Sequence, residues 1–175
     1  MNQSAIERAG AGVERRLPLL LLLLGASGCA ALVYEIVWYH LLQLAIGSTA
    51  VSLGFLLAAF MGGLSAGSVA LPRLAPRHWH PLRLYAGIEL GIAALGLLVL
   101  AGVPLVDRVY VAGAEHGFPG MLLRGFISGV CLLPPTFLMG ASLPAISRWI
   151  HATPRGASWW GLLYGANTAG AVFGC

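Results

Sequence analysis

The chain has 175 residues, of which 58% are hydrophobic and 9% are charged, and its formal net charge is +4. Soluble domains carry about 25% charged residues, so this composition excludes an ordinary soluble domain and predicts an all-α integral membrane protein. All ten cations are arginines, a density too low for a nucleic-acid-binding face, and no nucleic-acid partner is expected.

Long apolar runs predict a polytopic bundle of about five transmembrane helices. A hydrocarbon core of about 30 Å needs about 20 apolar residues per helix, and the last run only just reaches that length. The first two runs are separated by a very short turn, so they are expected to form an antiparallel hairpin. After a tail at residues 1–16, the predicted helices are 17–46, 49–71, 82–106, 119–150 and 157–175.

The first apolar run also resembles an export signal. Arg15 and Arg16 precede a leucine run that leads into Ala26-Ser27-Gly28-Cys29, similar to the cleavage site of a bacterial lipoprotein. A lipidated cysteine is usually followed by a polar tether, whereas residues 30–33 are Ala-Ala-Leu-Val. We therefore interpret this run as a retained helix.

The distribution of arginines predicts the orientation in the membrane. Cytoplasmic loops are enriched in cations, and eight of the ten arginines fall in the tail or in the links after the second and fourth helices. The N-terminus is therefore expected to be cytoplasmic, and five spans would place the C-terminus outside. These eight are Arg8, Arg15, Arg16, Arg73, Arg77, Arg83, Arg148 and Arg155.

Glu35 lies inside the first helix, and an ionisable group at such depth is costly and often functional. It follows Leu17 by 18 residues, or about 27 Å at 1.5 Å per residue, which predicts a position in the outer half of the bilayer. Arg124 enters the fourth helix from the same side. Glu35 and Arg124 could form a structural ion pair, or Glu35 could bind a cation, and the sequence leaves both open.

Aromatic residues gather around this carboxylate: Tyr34, Trp38 and Tyr39. Positions 35, 38 and 39 share a helical face, so the rings could seat an organic ammonium by cation–π attraction. An interfacial aromatic belt is an equally natural interpretation.

Two further polar residues fall within predicted helices. Glu89 begins about two turns into the third helix, where it could face the bundle, snorkel to the interface or touch a ligand. Asn167 falls near the middle of the fifth helix. Together with Glu35, these residues are candidates for a substrate-binding site.

Prolines mark the fourth helix at Pro134, Pro135 and Pro144. Each removes a backbone donor and clashes with the preceding turn, which predicts a helix kink or, as in some transporters, an interruption lining a binding site. Thr136 and Ser142 are expected to satisfy the freed carbonyls.

Glycines recur at a spacing of four, which lets membrane helices approach closely on one face. Glycine-mediated packing of a compact bundle is therefore expected. The pairs are Gly63/Gly67, Gly87/Gly91, Gly125/Gly129, Gly161/Gly165 and Gly170/Gly174.

Nothing in the sequence indicates a catalytic, cofactor or metal site. His78 and His80 are two residues apart without a nearby cysteine or acid to complete a metal site. The three cysteines are widely separated, which argues against a disulfide framework. We therefore predict no catalytic residues, cofactor or metal.

Four stretches together resemble the membrane module of the fused major-facilitator/spermidine-synthase family of bacterial proteins. They follow one another in the family's order over nearly the whole chain after the tail. They are SGCAALVYEIVWYHLL (27–42), LAAFMGGLSAGS (57–68), LLPPTFLMGASLPAISR (132–148) and GLLYGANTAGAVFG (161–174).

The resemblance implies part of a major-facilitator fold in a bacterial inner membrane, followed in the family by a soluble aminopropyltransferase-like domain. That domain is absent from this chain, so the expected function is a non-catalytic, transporter-like module that binds or moves polyamine-like cations. The chain departs from the family at His40, where an arginine is common, and in the loop after the second helix, which lacks an acid. The alternative is a membrane anchor or assembly subunit without a ligand, docking other membrane helices or a separate spermidine-synthase-like domain.

Overall fold

The structure, a computed structural model, describes residues 3–76, 78–111, 118–150 and 156–175. Within these residues the chain is all-helical, which confirms the predicted class of secondary structure. The five helices are α1 (Gln3–Ile46), α2 (Thr49–Leu74), α3 (Pro81–Val111), α4 (Phe118–Ile150) and α5 (Gly156–Gly174).

The first helix begins earlier than the sequence predicts. The tail at residues 1–16 was expected to precede the helix, whereas α1 starts at Gln3 and runs through Pro18. Residues 3–16 are rich in alanine, glutamate and arginine, which are strong helix formers. Helix propensity therefore continues α1 beyond the apolar segment that a bilayer would cover.

Among the described residues, four helices are long and apolar enough to cross a membrane: Leu17–Ile46, Thr49–Leu74, Pro81–Gly102 and Leu122–Arg148. These four helices indicate a membrane protein in a lipid bilayer. α5 has 19 residues, or about 28 Å at 1.5 Å per residue. A fifth span by α5 stays a prediction.

A single glycine turn reverses the chain between α1 and α2. Gly47 has φ +77°, the left-handed conformation that closes many helices, and its N–H donates to the Gln43 carbonyl at 2.9 Å. We call this end of the bundle the turn end. The opposite end holds residues 73–76 and 78–83, from the end of α2 to the start of α3, together with Arg148, and is called the basic end.

α2 packs closely against α4 through glycines. A Cβ atom on Gly63 would overlap the Thr136 side chain, and one on Gly67 would overlap the Phe137 carbonyl oxygen. Gly140 on α4 meets the backbone of Leu64 in the same way. The Gly63/Gly67 pair therefore lies in a helix contact that leaves no room for a side chain at either position.

α1 and α5 form a second glycine contact, which includes the predicted Gly170/Gly174 pair. Gly170 meets the backbone of Gly25, and Gly174 meets the backbone of Cys29. In contrast, a Cβ on Gly161 would meet no atom within 4 Å. α5 therefore packs beside the part of α1 nearer the basic end, in the same chain direction.

Two arginines of α4 bond to the C-terminal ends of other helices. Near the turn end, Arg124 donates to the Ala45 carbonyl of α1 at 3.3 Å. At the basic end, Arg148 donates to the Leu71, Pro72 and Ala75 carbonyls of α2 at 3.1 to 3.3 Å. A cation is favourable at a helix C-terminus, where partial negative charge accumulates, so each arginine joins α4 to a neighbour.

Candidate functional site

A cavity of about 200 Å³ lies inside the bundle where α1, α2, α4 and α5 meet. Its polar residues are Ser27 and Glu35 from α1, Ser142 from α4 and Asn167 from α5. The rest of the wall is apolar or small: Gly28, Ala31, Leu32, Phe60, Leu64, Met139, Leu143 and Ala171.

The residues from α1 reach the cavity because they share one helical face. Ser27, Ala31 and Glu35 are spaced by four, and residues at this spacing are neighbours on a helix surface. The sequence interpretation singled out Glu35 but not Ser27 as a site residue. Because Ser27 precedes Glu35 by two steps of four residues, the sequence spacing alone would have placed it on the same helical face as the carboxylate.

Asn167 enters the cavity through the glycine contact between α1 and α5. A Cβ atom on Gly28 would overlap the Asn167 carbonyl oxygen and would lie 3.1 Å from its side-chain Oδ1. The absence of a side chain at Gly28 therefore lets this part of α5 approach α1. Glu35 and Asn167, predicted separately as site residues, line the same cavity.

Glu35 is half-buried and, among the described residues, is the one charged residue of the cavity wall. Among the described residues, none donates a hydrogen bond or forms an ion pair with its carboxylate. A charged side chain at membrane depth costs on the order of 2.5–3.5 kcal/mol on insertion scales. Among the described residues, the Glu35 carboxylate thus has no partner to offset this cost.

The predicted Glu35–Arg124 ion pair is not formed. The Arg124 guanidinium bonds to Ala45, which follows Glu35 by ten residues, or about 15 Å along α1 at 1.5 Å per residue. This separation is too great for an ion pair. Arg124 instead lies against the C-terminal end of α1.

Glu89 is connected to the cavity through a hydroxyl group. Ser27 Oγ donates to Glu89 Oε1 at 2.8 Å, so Ser27 both lines the cavity and contacts the carboxylate of α3. The buried hydroxyl of Tyr85, one turn before Glu89, lies near both groups but falls short of hydrogen-bond geometry with the residues described. Glu89 itself is not part of the cavity wall.

The aromatic residues do not form a cation-binding site around Glu35. Tyr34 and Trp38 stack on each other with ring centroids 5.3 Å apart, and Trp38 is 1% exposed. The Tyr34 ring packs at Gly96 of α3, while Tyr39 contacts His40 edge-on. None of these rings belongs to the described cavity wall, so they pack the core and surface of α1 instead.

The three prolines of α4 do not interrupt the helix, which is continuous from Phe118 to Ile150. Thr136 and Ser142 do not bond to the carbonyls that the prolines free. Proline at 134, 135 and 144 frees the carbonyls four residues earlier, at positions 130, 131 and 140. Thr136 is placed instead to donate to Leu132 at 2.8 Å or across to Ala59 of α2 at 3.2 Å, and Ser142 donates to Met139 at 2.8 Å. A kink at the prolines stays a prediction.

In the described part of the chain, no three histidine, cysteine or acidic residues are grouped in a way that could hold a metal ion. The cavity chemistry is therefore that of a carboxylate, hydroxyl groups and an amide. Comparison with known proteins adds no relative: no protein-family model, curated protein or solved structure matches the chain.

Proposed function

We propose that this protein is a non-catalytic, transporter-like membrane module whose cavity binds a polyamine-like cation. The observation that supports this proposal is the Glu35 carboxylate, which faces the cavity without a protein partner among the described residues. No arginine or histidine lines that cavity in the same part of the chain. A bound ammonium would supply the missing positive charge.

The hydroxyl groups of the cavity favour a ligand that donates hydrogen bonds. Ser27 donates its hydrogen to Glu89 and Ser142 donates its hydrogen to Met139, so the hydroxyl oxygens of these two cavity-lining residues remain available as acceptors. The Asn167 side chain adds an amide oxygen, a further acceptor. An ammonium group carries three donors and no acceptor, which complements this arrangement better than an anion does.

The size of the cavity favours a compact ligand. Pockets for drug-sized molecules occupy about 300–1,000 Å³, whereas this cavity occupies about 200 Å³. An aminoalkyl group with a few methylenes, at one end of a longer polyamine, suits that volume. The apolar wall formed by Leu32, Phe60 and Leu64 would contact the methylenes.

Calorimetric titration of spermidine into the detergent-purified protein tests this proposal. We expect saturable binding to the wild type and its loss in Glu35→Gln, because the amide keeps the shape of the side chain but removes the charge. Glu14→Gln is the matched control, since it removes a carboxylate from the same helix 21 residues earlier in the chain. Absence of binding to the wild type, or equal loss in both variants, contradicts a cation site.

The orientation and location belong to the same proposal. Arg73, Arg83 and Arg148 all lie at the basic end, which supports a cytoplasmic position for that end under the positive-inside rule. The N-terminus is then cytoplasmic. Resemblance of the quoted motifs to the bacterial family supports an inner-membrane location and a soluble aminopropyltransferase-like domain as a partner.

The alternative function, a membrane anchor or assembly subunit, has its own supporting observation. Gly161 and Gly165 on α5 have open space at their Cβ positions, and Tyr164 and Phe173 of the same helix are exposed. Small residues at this spacing let another helix approach closely. Oligomerisation or partner capture that is abolished by Gly165→Leu, in a protein that binds no spermidine, would support this alternative.

A further inference from the structure

A second cavity, of about 550 Å³, lies at the basic end between the α2–α3 loop, the start of α3 and α4. It shares no residue with the cavity around Glu35. Its mouth is polar and is lined by His78, His80 and Arg83. Its deeper wall is apolar and includes Ile88 and Leu138.

The mouth of this cavity has a cation, Arg83, that no side chain or backbone group of the described residues engages. Arg148 at the same end is bonded to three backbone carbonyls of α2. In contrast, the exposed Arg83 guanidinium makes no hydrogen bond or ion pair with any described residue. Residues 36–88, which include the whole α2–α3 loop, hold no acidic residue, so the formal charge of the loop beside this mouth is positive only.

The apolar wall continues from this mouth along α3. Gly87 lines the cavity, and no atom lies within 4 Å of the position that its Cβ would occupy. The missing side chain leaves a slot beside Leu138 of α4. Trp79, which is 53% exposed, lies at the rim, where tryptophans commonly meet lipid headgroups.

We infer that this cavity is a binding site for an anionic phospholipid. The headgroup phosphate lies at Arg83, His78 and His80, and the start of one acyl chain lies in the slot at Gly87. Basic pockets between membrane helices bind anionic headgroups in this way. An inorganic anion would occupy only the mouth and would leave the apolar slot unused, which favours the lipid as the occupant.

Native mass spectrometry of the full chain tests this site with phosphatidylglycerol and phosphatidylcholine as probes. We expect selective retention of phosphatidylglycerol by the wild type. Arg83→Gln should bind it about five-fold more weakly, which corresponds to the about 1 kcal/mol that one cation contributes near an anionic lipid surface. Arg73→Gln is the matched control, because Arg73 lies at the same end outside the cavity.

Gly87→Leu separates a lipid from a soluble anion. The leucine fills the slot without meeting protein atoms at its Cβ position, so the fold should persist while phosphatidylglycerol retention falls at least five-fold. Displacement of the lipid by millimolar inorganic phosphate, with Gly87→Leu equal to the wild type, would show a soluble-anion site and overturn the inference. Equal losses in Arg73→Gln and Arg83→Gln would show a general charge effect and overturn it as well.

Discussion

Replacing Gly67 by alanine tests whether the α2–α4 contact depends on the absence of a side chain. The new Cβ would overlap the Phe137 carbonyl oxygen and would also meet the backbone nitrogen of Ala141. These are backbone atoms, so the two helices must separate, and such overpacking typically costs about 1–3 kcal/mol. Alanine also gains about 0.8–1.0 kcal/mol of helix propensity over glycine, which partly conceals that cost.

Gly62→Ala removes this ambiguity. Gly62 lies on the same helix, and its Cβ would meet nothing within 4 Å, so this variant receives the propensity gain alone. Gly67→Ala should therefore be less stable than Gly62→Ala by about 1–3 kcal/mol. Equilibrium unfolding in mixed micelles with increasing sodium dodecyl sulfate measures the two free energies of unfolding. Equal values for the two variants would refute a close α2–α4 contact at Gly67.

Three further substitutions test separate contacts. Arg148→Gln should lower the free energy of unfolding by about 1.5–3 kcal/mol, the range for hydrogen bonds to charged groups, whereas the exposed Arg73→Gln should change it little. Trp38→Ala should lower the free energy of unfolding by about 3–5 kcal/mol because it leaves a cavity at a buried site. Trp38→Phe should lower it less, because the ring is kept and the indole N–H that it removes is buried without a described partner. Thr136→Val should lower the free energy of unfolding by about 0.6 kcal/mol, typical of a hydrogen bond between membrane helices. Thr136→Ser keeps the hydroxyl group and should not show this loss. Unfolding in the same micelles measures all three, and a stable Arg148→Gln, Trp38→Ala or Thr136→Val would contradict the corresponding contact.

The helices were predictable because each apolar run is long and because the reversal at Gly47 has a local cause. Glu35 and Asn167 could each be named as candidates from the sequence, since polar groups at membrane depth turn towards the interior of a bundle, but the sequence did not predict that both line one cavity. The approach of Asn167 to Gly28 was not predictable, because it depends on how far α5 is displaced along α1. The sequence does not record that displacement.

The same limitation explains the absent Glu35–Arg124 pair. Depth estimated along each helix separately ignores the relative shift of α1 and α4, and that shift brings Arg124 opposite Ala45. The sequence left open whether the aromatic residues surround Glu35, and the reason Trp38 is not in the cavity wall is angular: Glu35 and Trp38 are three residues apart, which leaves about 60° between them at 3.6 residues per turn. That angle is enough to direct one side chain to the cavity and the other to the core.

The two arginines of α4 have a mechanical consequence for the protein in a bilayer. Arg124 and Arg148 are 24 residues apart, or about 36 Å at 1.5 Å per residue, slightly more than a typical hydrocarbon thickness of about 30 Å. A helix that exceeds the bilayer thickness usually relieves hydrophobic mismatch by tilting. α4 is fastened to α1 near one end and to α2 at the other, so it cannot tilt alone. A change in bilayer thickness therefore acts on three helices together, and the lipid is expected to adapt to the bundle.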